Sequence, residues 1–294
     1  IDVSDRIASF MWSNYRHLEL YQGVPSMGAV LHTLNIRLSS TDLEYIINHA
    51  GDRIIFADED LLPLLEPRWG KVPCVELLVI CRHGEGGESS FENQIDYEDF
   101  IASQATKYAW PEIDENSPMG LCYTSGTTGK PKGVMYTNRS TYLHTLAEGL
   151  TDSLGLSALD SVLGIVPMFH AMGWGLPFCA SMLGCKQVFP HKFMTPDAFL
   201  QLMHEEKVTI SAGVPTIWQG VRAALTANPD KYDLSALTRL TCGGSAPPVE
   251  MMRWYWDKYN IEMIQGWGMT ETSPGGIALD AEDALRKIGS TGKA

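Results

Sequence analysis

Residues 123–134 read YTSGTTGKPKGV, and this stretch decides how the rest of the chain is read. Thr124, Ser125, Thr127 and Thr128 put four hydroxyls into five consecutive positions. Gly126, Gly129 and Gly133 let the backbone turn tightly and come close to a ligand. Lys130 and Lys132 bring positive charge, and Pro131 stiffens the chain between them. Hydroxyls, exposed backbone N–H groups and two lysines suit the holding of a polyphosphate. Ordinary polar turns have a similar composition, so the context counts. Apolar MGLCY precedes the stretch and GVMYT follows it, which predicts a buried strand leading in and an extended chain leading out. It is not a Walker loop. Gly126 and Gly129 enclose two residues rather than four, and Pro131 follows Lys130 where that motif has Ser or Thr and then a helix.

TSGTTGKPKG resembles the phosphate loop of the AMP-forming adenylating superfamily, which includes acyl-CoA synthetases, luciferases and peptide-synthetase adenylation domains. Two further stretches extend the resemblance: Pro167-Met168-Phe169-His170 with Ala171 to Trp174, and Gly266-Trp267-Gly268-Met269-Thr270-Glu271-Thr272. The block from Asn14 to Asp58 is similar to the early part of fatty acyl-CoA synthetases, and core packing accounts for most of it. The resemblance implies a two-lobed α/β protein with layered α-β-α sheets. It also implies ATP-dependent activation of a carboxylate to an acyl-adenylate, followed by thioester formation with coenzyme A.

Composition agrees with a globular protein. The 294 residues are enough for one large domain or two lobes, and the chain is 45% hydrophobic and 19% charged. A net charge of −13 argues against nucleic acid or an anionic membrane as a general partner. The anionic ligands ATP and CoA must then rely on local features such as the lysine loop. The six cysteines form no C-x-x-C pair, which predicts free thiols in a reducing, cytoplasmic setting and no zinc site. Residues 161–185 carry no Asp, Glu, Lys or Arg, yet Pro167, Pro177, His170 and four glycines interrupt them. That predicts a buried strand, a turn and a buried helix rather than a membrane span.

In chain order, the spacing predicts helices over 5–22 and 24–34, then a helix opened by a Thr41/Glu44 capping box and closed by Gly51. Strands at 53–57 and 75–80 flank a short helix at 60–66, and HGEGGESS at 83–90 reads as a solvated loop. Beyond the phosphate loop, helices are expected at 139–154, from Pro196 to Glu206, from Val214 onward and at 248–259. Strands are expected at 161–167, 186–190, 208–213, 237–242 and 261–265. This alternation indicates a parallel sheet with helices on its faces. The lobes are placed at 1–160 and 161–294.

The resemblance also assigns roles residue by residue. Thr124, Ser125, Gly126, Thr127, Thr128, Gly129, Lys130 and Lys132 would hold phosphates. His170 would stand beside the carboxylate and α-phosphate, although a lone histidine at a strand end is more often structural. Trp174 matches a tryptophan at the mouth of the acyl tunnel in long-chain synthetases, and core packing is an equal alternative. Ala171, Gly213, Val214, Pro215 and Thr216 would line the acyl pocket. Gly244, Ser245 and Ala246 match the adenine-contacting turn, which is otherwise an ordinary strand-to-helix turn. Gln265, Gly266, Trp267 and Gly268 would face the nucleotide, with Trp267 stacking where many members have tyrosine. Thr270 would contact the α-phosphate, and Thr124 and Glu271 would hold Mg²⁺. His170, Lys132, Thr270 and Glu271 form the expected catalytic set.

The expected partners are a fatty acid, ATP and CoA, with a homodimer as the expected form of self-association. The family's ribose-binding Asp and lid lysine find no counterpart after residue 275, so the resemblance implies an internal part of a longer enzyme, truncated at both ends. Two rivals stand beside fatty-acid activation. One is a CoA ligase for aryl or other small acids, and the other is a nucleotide- or acyl-adenylate-binding protein without turnover.

Overall fold

A computed structural model of the chain describes residues 1–84, 91–124, 129–273 and 275–279, the last four as backbone only. The chain divides into two compact units, Ile1–Ser140 and Thr141–Ala294. The boundary expected at 160 falls inside the second unit.

The first unit opens with strand β1 (Arg6–Phe10), helix α1 (Tyr15–Ser26) and strand β2 (Val30–Thr33). Two expectations are therefore overturned. Residues 5–22 are a strand followed by a helix, and residues 24–34 are the end of that helix followed by a strand. The cause is position in the sheet. β1 lies between β2 and a later strand, and Ile7, Ala8, Phe10 and all of β2 are buried. A strand covered on both faces shows no alternation of period two. Helix α1 starts instead at Asn14, whose side chain accepts the His17 N–H at 3.0 Å.

Helix α2 (Ser40–Ala50) is capped by Ser39, which accepts the Asp42 N–H at 3.2 Å, and not by Thr41. Gly51 closes it in a left-handed conformation, φ 69°, as the sequence suggested. Strand β3 (Asp52–Asp58), helix α3 (Leu62–Leu65), strands β4 (Leu77–Cys81) and β5 (Gln94–Asp96), and helix α4 (Tyr97–Ala102) follow. Most of the loop read at 83–90 lies outside the described residues. Strands β6 (Pro118–Thr124) and β7 (Lys132–Thr137) complete a seven-stranded sheet of order β5-β4-β3-β1-β2-β6-β7. All its pairings are parallel except β6 with β7.

Helix α5 (Asn138–Glu148) leads into the second unit and stops short of 154. It is followed by β8 (Ser161–Leu163), α6 (Leu176–Leu183), β9 (Lys186–Val188), α7 (Pro196–Glu205), β10 (Ile210–Gly213) and α8 (Pro215–Ala227). Then come β11 (Arg239–Cys242), α9 (Val249–Tyr259), β12 (Glu262–Gly268) and β13 (Gly275–Leu279). The sheet order is β13-β12-β11-β10-β8-β9, again parallel except for the edge pair β12–β13. Thr195 caps α7 with Pro196 in its first turn, as read from the sequence. Strand β8 ends at Leu163 rather than 167, and β12 continues to Gly268, so Gly266 and Trp267 lie on a strand.

The core of the second unit gathers Phe199, Trp218, Leu240, Met251 and Tyr255 around the sheet. Trp218 donates its indole N–H to the Thr241 carbonyl at 3.1 Å, and the Tyr255 hydroxyl donates to the Trp218 carbonyl at 2.7 Å. Satisfying both polar tips allows two large rings to be buried without loss, and it fixes the end of β11. All six cysteines are free, with Cys81, Cys122, Cys179 and Cys242 buried. Among the described residues no helix is long and apolar enough to cross a membrane.

Candidate active site

In the first unit, the pairing of β6 with β7 sets Thr124 opposite Lys132. The polar stretch is thus the connection of an antiparallel pair whose strand β7 forms the sheet edge. Ser125, Gly126, Thr127 and Thr128 lie outside the described residues. Lys130 is exposed, with its Nζ 4.8 Å from the centre of the Tyr45 ring. Tyr123 is hydrogen-bonded through its hydroxyl to Nδ1 of His49 at 2.6 Å, which ties the strand leading into the loop to α2. Lys132 is exposed and Thr124 is half-buried.

The second unit holds a cavity of about 350 Å³. Ala212, Thr241 and Gly266 line it from β10, β11 and β12, with Gly243, Gly244 and Thr270 just beyond the strands. It therefore lies at the carboxyl ends of parallel strands, where open α/β sheets bind their ligands. His170, Ala171 and Trp174 form another wall, and Trp267 and Gly268 complete the predicted residues that meet here.

The wall carrying His170 has an unusual backbone. Between β8 and α6 the chain makes a left-handed turn, with φ of 43° at Ala171, 46° at Met172, 62° at Gly173, 56° at Trp174 and 77° at Gly175. Such a conformation costs an L-residue roughly 1–2 kcal/mol, so the three non-glycine residues Ala171, Met172 and Trp174 must be held by their surroundings. The Gly173 N–H donates to the His170 carbonyl at 2.9 Å, and Ala171 and Met172 are buried. Trp174 then lies against bare backbone: a Cβ on Gly243 would stand 2.9 Å from its Cη2. The Gly243 N–H in turn donates to the Gly213 carbonyl at 3.1 Å.

Trp267 and Thr270 lie at the carboxyl end of β12, beside the same cavity. Trp267 is 40% exposed between Gly266 and Gly268, so an indole face is available for stacking. Thr270 opens a short 3-10 turn ending at Thr272, and Glu271 in that turn is exposed. The buried hydroxyl of Thr241 has no hydrogen-bond partner.

Other predicted residues do not reach the cavity wall. Gly213 packs against Trp218, where a Cβ would come within 3.0 Å of the ring, and Pro215 is buried at the start of α8. Val214 and Thr216 are exposed, as are Ser245 and Ala246. Gln265 is buried, and Glu271 lies beside the lining residue Thr270 without lining the cavity itself.

Sequence reasoning missed the contribution of α5. His144 and Glu148 line the cavity one helical turn apart, Nδ1 to Oε2 at 3.7 Å. Burial lowers the His144 imidazole from 6.5 to about 4. It also pushes the Glu148 carboxyl well above the usual carboxylate range. The signal available was the i, i+4 spacing of a histidine and an acid on a helix entering an apolar region.

A model of the family described as AMP-binding enzyme matches residues 1–294. The chain is 44% identical over 276 residues to the medium-chain-fatty-acid–CoA ligase of Ectopseudomonas oleovorans, covering 94% of this chain and 50% of the relative. It is 41% identical over 294 residues to the 3-methylmercaptopropionyl-CoA ligase of Ruegeria pomeroyi, covering 96% of this chain and 54% of the relative. Among solved structures, the anthranilate CoA ligase AuaEII in complex with anthranoyl-AMP matches with a TM-score of 0.88 and 26% identity, over 100% of this chain and 55% of that one. The chain spans about half the length of the curated relatives it matches.

Proposed function

The chain belongs to the AMP-binding enzyme family, and we propose that the whole protein is an AMP-forming fatty acid–CoA ligase. It activates a fatty acid carboxylate with ATP to acyl-AMP and pyrophosphate, and then transfers the acyl group to CoA. The observation that carries this reading is the cavity of the second unit. It gathers His170, Trp174, the Gly243–Gly244 turn, Trp267 and Thr270 from three separate stretches of sequence.

The residues present fit a nucleotide. Gly243, Gly244 and Gly266 put backbone without side chains at the cavity wall, and Trp267 offers an aromatic face. In this reading Trp267 stacks on the adenine and Thr270 holds the α-phosphate. His170 orients the attacking carboxylate, and Lys132 with the loop N–H groups offsets charge on the phosphates. Glu271 and Thr124 supply oxygen ligands of the kind Mg²⁺ takes alongside phosphates and water. Bound Mg²⁺ would supply charge neutralisation on the phosphate oxygens. Catalysis of the first step then consists of positioning and preorganised charge.

The names of two relatives support a second reading, a CoA ligase for a shorter or aryl acid, since one acts on 3-methylmercaptopropionate and the other on anthranilate. The test is acid-dependent ATP–pyrophosphate exchange by the full-length gene product with fatty, aryl and amino acids. Stimulation by fatty acids is the expected result, and stimulation by aryl acids alone replaces it with the second reading. ATP binding without exchange for any acid would leave a binding protein.

A further inference from the structure

The His144–Glu148 pair is built into the cavity and has no part in the chemistry above. His144 Nε2 accepts the Gly275 N–H at 2.9 Å. A proton on Nε2 would confront that N–H, so the ring carries its proton on Nδ1, which faces Glu148. At 3.7 Å this approach is too long for a hydrogen bond. Glu148 Oε2 is shielded from solvent and has no hydrogen-bond partner. The side chains of His144 and Glu148 are only 9% and 12% exposed.

Two glycines make room for the pair. A Cβ on Gly175 would overlap the Glu148 carboxylate and stand 2.7 Å from His144 Cε1. A Cβ on Gly275 would stand 2.7 Å from His144 Nε2. A second unpartnered group, the Thr241 hydroxyl, lines the same cavity on a residue 7% exposed. The neighbouring lining is mixed: Ala147, Leu154, Leu176 and Ala212 are apolar, and Asp152 and Ser153 are polar. Buried polar groups without partners are rare in native proteins and call for a ligand or a functional reason.

We propose that Glu148, with His144 beside it, is a specificity-determining residue that selects aliphatic acids whose chain carries an oxygen, as a keto or hydroxyl group. The proposal rests on the acid-activation reading and narrows its substrate. Held neutral by burial, the Glu148 carboxyl is a hydrogen-bond donor, as are the His144 Nδ1–H and the Thr241 hydroxyl. An oxygen on the acid satisfies such donors. A plain alkyl chain lying against them leaves them buried and unpaired, and sites of this kind discriminate strongly against the analogue that lacks the partner.

The test compares kcat/KM in ATP–pyrophosphate exchange for length-matched alkyl, keto and hydroxy acids, using the full-length protein and its Glu148→Gln and Glu148→Leu variants. Wild type is expected to favour an oxygenated acid over its alkyl match by roughly tenfold or more. Glu148→Gln, which keeps a donor, should retain that preference, and Glu148→Leu should abolish or reverse it. A wild-type preference for the alkyl acid overturns the proposal, as does an unchanged ratio in a Glu148→Leu protein that melts like wild type. Should Glu148→Leu fail to fold, the wild-type ratio and the smaller Glu148→Ala change decide in the same way. Absence of exchange with every acid in wild type removes the activation reading and this proposal with it, whereas exchange with an unaltered ratio removes this proposal alone.

Discussion

Thr124 and Lys132 face each other across the antiparallel pair β6–β7. The two ends of the hydroxyl- and glycine-rich stretch are thereby fixed at one strand spacing by backbone hydrogen bonds, independently of the loop between them. Lys132 is exposed, so its replacement should leave the fold intact. Lys132→Ala is expected to lower acid-dependent exchange by roughly a hundredfold with little change in melting temperature. Exchange at the wild-type rate would make Lys132 an ordinary surface residue.

Gly243 and Trp174 give a test that separates packing from specificity. A Cβ at 243 would press on the Trp174 ring at 2.9 Å and 3.0 Å. Gly243→Ala should therefore change the dependence of exchange on acid chain length, and so should Trp174→Ala. In the double variant the clash no longer exists, so the two effects should be strongly non-additive. Simple additivity would separate Trp174 from the Gly243 turn, and unchanged chain-length preference and KM in Trp174→Ala would make the tryptophan plain core.

Glu271 is exposed on the turn that follows β12. Its replacement by alanine should raise the Mg²⁺ concentration needed for half-maximal exchange by roughly tenfold or more, with the melting temperature preserved. A magnesium dependence like that of wild type would remove Glu271 from the metal role.

His17 predicts a pH dependence of stability in the first unit. Its Nδ1 is 3.0 Å from the Trp12 carbonyl and its Nε2 is 2.8 Å from the Ser9 hydroxyl, an arrangement that fits the neutral ring. Burial lowers its pKa from 6.5 to about 4. The unfolded chain takes up a proton near pH 6.5 and the folded one only near 4, so stability falls as pH drops through that window and levels off below it. The loss is about 3 kcal/mol. Chemical denaturation between pH 7 and 4 should show this slope in wild type and lose that part of it in His17→Gln. Equal slopes in the two proteins would show that His17 does not titrate in this way.

The signatures were legible because they are local. A strand, a polar loop and a second strand follow one another around residues 123–134, and neighbouring residues suffice to recognise them. The first two strands were not legible. β1 and β2 sit inside a sheet covered on both faces, and their apolar runs carry no periodicity that separates strand from helix. Trp267 and Thr270 of GWGMTET line the cavity, while Val214 and Thr216, on either side of Pro215 at the start of α8, are exposed and do not line it. His144 and Glu148 escaped notice because their importance comes from Gly175 and Gly275, distant positions whose missing side chains leave the pair its space.

The turn from Ala171 to Gly175 winds against the handedness its residues prefer. One wall of the cavity is therefore a loaded latch, held in place by its neighbours rather than by its own conformational preference. Its anchors include the Glu148–His144 pair against Gly175 and the Gly243 backbone beneath Trp174. Only Gly173 and Gly175 take this backbone without strain, so the conformation at Ala171, Met172 and Trp174 rests on those contacts rather than on local preference.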